Sequence, residues 1–337
     1  MIIDINSAID PADENDNTPA KVIKVASLAE LLAYQFPPRI PILAPVFVLG
    51  SLNMIFSARG VGKTHAALGI AYAAASGSHF WNWKADRPVK TLYIDGEMPG
   101  ESMQTRIAEI VKSSEKAPPD GFLYFITIDM NDGRMPDLSC LGGQLEVEAA
   151  CAEAELIVVD NLSCLCRSGK ENEAESWLSI AEWAMRMRSL GKCVIFIHHA
   201  GKNGNQRGTS KREDILDVVI ELKRPSDYDS SQGARFVVNY SKARHLTGND
   251  AASFEAMLMN ISGNQTWAIK MVEDSTIDQV IELTNLGLSQ TEIANELGIN
   301  KSNVSRALKK AKDDGLIRES ASKSKKKPTP KRVDLDE

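Results

Sequence analysis

Asn53-Met54-Ile55-Phe56-Ser57-Ala58-Arg59-Gly60-Val61-Gly62-Lys63-Thr64-His65 is the stretch from which the chain is read. Asn53 to Ser57 is apolar and β-prone, and the segment from Lys63 to Ser76 has helical composition. The glycines between them let the backbone turn and present its N–H groups to phosphate oxygens. The positive end of the following helix points at the same place. Lys63 is expected to reach the β- and γ-phosphates of ATP, and the Thr64 hydroxyl to ligate Mg²⁺. Ser57, Ala58, Arg59, Gly60, Val61, Gly62, Lys63, Thr64 and His65 are thus the expected nucleotide-binding residues. Ser57 stands where such loops usually carry their first glycine; it is small, so a slightly altered turn is expected. A glycine turn followed by a chance Gly-Lys-Thr is the plainer alternative. The strand before and the helix after argue against it.

Such a site needs a carboxylate in the magnesium shell. Leu156-Ile157-Val158-Val159-Asp160, an apolar strand ending in Asp, supplies a candidate in Asp160. Thr91-Leu92-Tyr93-Ile94-Asp95-Gly96-Glu97 is a second strand ending in carboxylates. In a parallel sheet that end faces the ligand. Glu97 is the expected general base or water-orienting group, with Asp95 as its rival and a simple turn as the other use of Asp95. Cys193 to His199 is a third strand with a polar end. There a histidine can sense the γ-phosphate. His198 and His199 are neighbours on a strand, so their side chains point to opposite faces and do not chelate one ion together.

Further strands are expected at Leu123 to Ile126, Val218 to Leu222 and Phe236 to Tyr240, and helices at Ala26 to Tyr34, Met98 to Lys112, Gly143 to Glu153 and Glu173 to Ser189. Apolar strands alternating with amphipathic helices imply an α/β fold with a doubly wound, mostly parallel sheet. The formal net charge is −6, yet residues 301–332 hold twelve Lys or Arg against three acids. That asymmetry points to a nucleic-acid-facing end. Five cysteines without a Cys-x-x-Cys pair fit a reducing cytoplasm better than a disulfide framework or zinc site. No signal peptide is expected at the acidic start, and the apolar run from Ala66 to Ala75 is too short to span a bilayer.

Met54 to Thr64, Tyr93 to Pro99, Leu156 to Asn161, Phe196 to Lys202 and Arg207 to Ser210 together resemble the RepA-like branch of RecA-fold ATPases, the hexameric replicative helicases and their plasmid or phage relatives. The resemblance spans roughly residues 40 to 270. It implies a RecA-like sheet, a catalytic Glu97, a magnesium-shell Asp160 and a phosphate sensor at His199 or His198. It also implies that residues 201–209 form a loop facing single-stranded DNA, made basic by Lys202, Arg207 and Lys211. Lys242 and Arg244 match the Lys-x-Arg pair with which such rings reach a neighbour's γ-phosphate; an ordinary strand-end ion pair is the alternative. The resemblance implies a homo-oligomer, a hexameric ring.

From near residue 272 the pattern is wholly helical. Ile277 to Leu286 is one helix. Ser289 and Glu292 form a capping box for a second. Gly298-Ile299-Asn300 is a turn, and Lys301 to Lys312 is a third helix with Val304 and Leu308 facing inward. This is helix-turn-helix spacing and resembles winged-helix DNA-binding domains, with Gly315 to Arg318 starting a wing. Ser302, Asn303, Ser305 and Arg306 are expected at the bases of duplex DNA, and Lys309, Lys310 and Lys312 at its phosphates. The expected division is 1–25 disordered, 26–272 ATPase, 273–319 helix-turn-helix and 320–337 a basic disordered tail. The expected function is a DNA-dependent ATPase, a replicative helicase or helicase-like motor. The alternative is an ATP-switched DNA-binding regulator that does not unwind.

Overall fold

A computed structural model describes residues 23–36, 38–166, 174–200, 213–313 and 316. The chain divides into two compact units, 1–38 and 39–337. In the first, helix α1 (Leu28–Ala33) is capped by Ser27, whose hydroxyl accepts from the Glu30 amide while Glu30 bonds back to the Ser27 amide at 2.8 Å.

The second unit is built on one nine-stranded sheet. Its central strands are β3 (Leu52–Ser57), β6 (Thr91–Asp95), β7 (Leu123–Thr127), β8 (Leu156–Asp160), β9 (Cys193–His199) and β10 (Val218–Lys223). These six run parallel in the order β10-β3-β9-β8-β6-β7. The sheet continues past β10 with three antiparallel strands, β11 (Arg235–Ala243), β12 (Phe254–Ile261) and β13 (Asn264–Met271). Two short hairpins stand apart from it, β1 (Pro41–Leu43) with β2 (Phe47–Val48), and β4 (His79–Phe80) with β5 (Trp83–Lys84).

Covered on both faces, β3, β6, β8 and β9 are buried along their whole length, which is why they read as continuous apolar runs. Alternate residues feed two cores. Ile55, Tyr93, Val158 and Ile195 join helices α2 (Lys63–Ser76) and α3 (Gly100–Ser113). Met54, Ile94, Val159 and Phe196 join α4 (Leu141–Ala150), α5 (Leu162–Leu165) and α6 (Ala174–Ser189). At Gly69, α2 packs closely against the β4–β5 hairpin. A Cβ on Gly69 would fall 2.0 Å from the Phe80 ring, so the site has no room for a methyl group.

This is the expected doubly wound α/β sheet in RecA-like order, with β9 inserted between β3 and β8. The β12–β13 hairpin does not stand out in the sequence. Its turn, Ser262-Gly263, has both φ positive (53° and 84°) and joins a directly paired Ile261 and Asn264, the two-residue loop that matches strand twist.

Helices α7 (Val272–Asn285), α8 (Gln290–Glu296) and α9 (Lys301–Asp313) follow at once. They enclose a third core of Ile277, Val280, Ile293, Ala294, Val304, Ala307 and Ala311, with Leu308 half-buried against it. The expected Ser289–Glu292 capping box forms. α7 starts five residues before the sequence pattern suggests, directly from β13, and Lys270 on that strand pairs with Asp278 on the helix. Of the tail expected at 1–25, residues 1–22 lie outside the described residues, as do the tail expected at 320–337 and all of the wing expected at 315–318 except Leu316. Among the described residues no helix is long and apolar enough to cross a membrane.

Candidate nucleotide site

The C-terminal ends of β3, β6, β8 and β9 open on one cleft of about 620 Å³, within the usual range for small-molecule sites. Residues 59–65 line one wall, and Asp95, Glu97, Asp160 and His199 line another. Gly60 and Gly62 take φ of 75° and 126°, conformations that side chains rarely adopt. A Cβ on Gly62 would also stand 3.0 Å from the Phe236 ring.

Lys63 opens α2 and is 6% exposed. Its Nζ donates to Ser57 O (3.1 Å), Ser57 Oγ (3.2 Å) and Ala58 O (3.1 Å). Ser57 thus holds the lysine in place as well as closing the turn. Burial pushes the ammonium from its ordinary 10.5 down to about 8, against the opposing pull of Asp160 and Glu97.

Asp160 ends β8 and is buried. Tyr93 donates its hydroxyl to Asp160 Oδ2 at 2.6 Å, and the Thr64 hydroxyl also bonds this carboxylate. Burial lifts the carboxyl from 3.8 to about 6, although both hydrogen bonds pull it down. A hydroxyl and a carboxylate are hard oxygen donors of the kind Mg²⁺ takes alongside water and phosphate oxygens. When bound, Mg²⁺ would supply positive charge against the charge that develops on the phosphate oxygens. Thr64 and Asp160 would hold it.

Asp95 spends its Oδ1 on the backbone amides of Glu97 and Met98, each at 2.8 Å. It builds the turn that throws Glu97 into the cleft. The Glu97 side chain is 57% exposed, and its Oε2 lies 3.5 Å from His199 Nε2. His199 faces the cleft, while His198 is fully buried. Burial first, and then the Lys63 charge, hold the His199 imidazole below its ordinary range. His65, the third residue of α2, is held near 4 by burial and then by Arg106.

Several cleft residues escape sequence reasoning. Asn161 donates its amide to Glu97 Oε2 and lies 3.3 Å from His199 Nε2. Arg106, nine residues past Glu97 on α3, lines the cleft without a motif to mark it. Tyr228, from the loop after β10, closes the side beside the phosphate loop. Its ring carries the Arg224 guanidinium 3.8 Å from its centroid, and Arg224 donates to Gly60 O at 2.9 Å. Only Asn161, which immediately follows the strand-ending aspartate, had a signal in the sequence.

The AAA domain matches residues 16–205, from before β1 to beyond His199. This chain belongs to the AAA domain family. The match covers the phosphate loop, Glu97, Asp160 and His199 of this ATPase domain, but not Lys242 or Arg244. Residues 275–327 match the MarR family, which fits DNA binding by the three C-terminal helices. No curated protein matches the chain. Among solved structures the AAA protein is similar to the flagellar accessory protein FlaH of Methanocaldococcus jannaschii (TM-score 0.46, 13% identity, 67% of this chain and 92% of that one). It is also similar to a KaiC-like protein of Pyrococcus horikoshii (TM-score 0.45, 14% identity, 67% and 93%).

Lys242 and Arg244 are apart from the cleft. Lys242 lies near the end of β11 and Arg244 just beyond it. Arg244 donates to Asp214 O at 2.6 Å, and Lys242 donates to Glu213 O. Ala243 pairs with Val218, which pairs with Asn53 at the start of β3. The pair thus sits at the end of the sheet opposite the phosphate loop. Lys202, Arg207 and Lys211 lie outside the described residues. On α9, Ser302, Ser305, Arg306, Lys309, Lys310 and Lys312 are exposed and Asn303 is half-buried, its Oδ1 accepting from Arg306 at 2.6 Å.

Proposed function

We propose that this AAA-domain ATPase is a DNA-dependent ATP hydrolase that works as a ring of identical copies, a helicase or helicase-like motor tethered to duplex DNA by its C-terminal helices. The observation that carries the reading is the convergence of Lys63, Thr64, Asp160 and Glu97, from three strand ends, on one cleft. In the proposed roles Lys63 binds the β- and γ-phosphates, and Thr64 and Asp160 hold Mg²⁺. Glu97 orients and deprotonates the attacking water, and His199 senses the γ-phosphate.

Subunit sharing is supported by the position of Arg244. The four steps along β3 from Asn53 to Ser57 span roughly 13 Å, so the Arg244 guanidinium cannot reach the phosphate loop of its own chain. A pair of cations at that end of the sheet is available to a neighbouring copy. There the planar, permanently charged guanidinium would stabilise charge spread over the transferring phosphoryl group. The exposed basic face of α9 supports duplex binding. Hydrolysis measured with and without single-stranded DNA, together with the native mass, tests the reading. DNA-stimulated turnover by a closed oligomer is expected. DNA-indifferent turnover by a monomer would end it.

One observation favours the second reading, an ATP-switched DNA-binding regulator. β13 runs into α7 without a linker, and Lys270 pairs with Asp278 across the junction. A helix-turn-helix fixed so directly to the ATPase sheet is suited to feel nucleotide state. A forked duplex separates the two readings: the motor unwinds it, and the regulator does not.

A further inference from the structure

We propose that Asn161 is a positioning residue that holds the water-activating carboxylate of Glu97 in place. This rests on the role given to Glu97 above. Asn161 follows the last residue of β8 and is 1% exposed. Its two polar ends have separate tasks. Oδ1 accepts the Cys164 amide at 3.2 Å and so caps α5. That bond fixes which way the side-chain amide faces, because a carboxamide has one acceptor end and one donor end. Nδ2 is thereby turned into the cleft, where it donates to Glu97 Oε2 and lies 3.3 Å from His199 Nε2.

Glu97 needs such a tether. It stands on a turn and its side chain is 57% exposed. Among the described residues, Asn161 and His199 are the polar side chains that touch its carboxylate. A free glutamate in that setting rotates among several rotamers. With Oε2 taken by Asn161, Oε1 is left for the attacking water, and the carboxylate plane is set by a group fixed to both β8 and α5. His199 comes from β9, so the contact joins the ends of three strands. Holding a catalytic group within a fraction of an ångström of its working position is worth large factors in rate.

Because Asn161 acts through Glu97, its loss should change turnover without changing nucleotide affinity. Asn161→Ser is the cleaner variant: a serine hydroxyl still caps α5 but is too short to reach Glu97. Asn161→Ala removes both contacts. The full chain is assayed by single-turnover hydrolysis and by binding of a non-hydrolysable ATP analogue. Asn161→Ser is expected to lower kcat roughly 10- to 100-fold, a share of what a general base supplies, with KM and analogue affinity unchanged. In the Glu97→Gln background the same substitution is expected to lower the residual rate no further, the mark of two residues acting as one unit. Wild-type kcat in Asn161→Ser overturns the proposal. So does an equal fall in both backgrounds, and so does a kcat above wild type, which would make the contact a restraint. Should Asn161→Ala fail to fold, Asn161→Ser decides alone. Glu97→Gln measured by itself keeps the two questions apart: turnover surviving that change removes the parent reading and this one with it.

Discussion

Replacing Lys63 with methionine is expected to stabilise the nucleotide-free protein while ending turnover. The lysine ammonium is buried and is held by Ser57 and Ala58 oxygens rather than by a carboxylate in contact. Its fall from 10.5 to about 8 means that the charged form costs about 3 kcal/mol of folding stability at pH 7, at ~1.4 kcal/mol per tenfold change in acidity. Methionine has nearly the same length and no charge. The carbonyls it leaves without a donor return roughly 1 kcal/mol of that. A net gain of about 2 kcal/mol is therefore expected in denaturant unfolding at pH 7. Its sign with pH is fixed. The folded pKa lies below the unfolded one, so the penalty on wild type is fully present below about 8 and is relieved as pH rises from 8 toward 10.5. By pH ~9.5 the penalty has shrunk by about 2 kcal/mol, and the advantage of the variant should be nearly gone. Mg²⁺ and ATP should stabilise wild type but not Lys63→Met. A variant less stable than wild type at pH 7, or a difference that ignores pH, refutes the argument.

Protons should compete with Mg²⁺ at Asp160. Burial lifts that carboxyl from 3.8 to about 6, so its charge costs folding stability that is absent below 3.8 and fully present above 6. The Mg²⁺ needed for half-maximal hydrolysis should be flat above neutral pH and climb roughly tenfold per pH unit below about 6; a requirement unchanged down to pH ~5 contradicts this. Arg244→Ala should bind ATP but not turn it over. Mixing it with Glu97→Gln should restore part of the activity through interfaces that combine intact halves, and no recovery on mixing would remove the shared site. Ile293→Ala empties a fully buried position in the small C-terminal core, which costs about 2–5 kcal/mol locally. Duplex DNA retention in a mobility-shift assay should fall sharply while ATP affinity holds; unchanged retention would take α7 to α9 out of DNA binding.

The parallel core was legible because its strands are buried on both faces and so are written as runs such as Leu156 to Val159. The glycines of the phosphate loop were legible because only they tolerate the φ values found there. The antiparallel end was harder. β12 and β13 mix exposed Asn260, Asn264 and Thr266 with apolar residues, so they carry neither a clean alternation nor a continuous run. Motif spacing gave Glu97 and Asp160, because Asp160 ends an apolar strand and Glu97 stands two residues past the end of another. It could not give Arg106 or Tyr228, because a helix face and a loop are brought to the cleft by tertiary packing alone. Asn161 is an intermediate case: its place after β8 was visible, but its bond to Glu97 depends on how far α5 turns it.

The most direct test of the whole account is a calorimetric titration of the intact chain with ATP, with and without Mg²⁺, alongside Lys63→Met. Saturable binding of one ATP per chain that tightens with Mg²⁺ and vanishes in the variant is predicted. A folded wild type that takes up no ATP, or a Lys63→Met protein that binds it equally well, would contradict the site on which every other proposal stands.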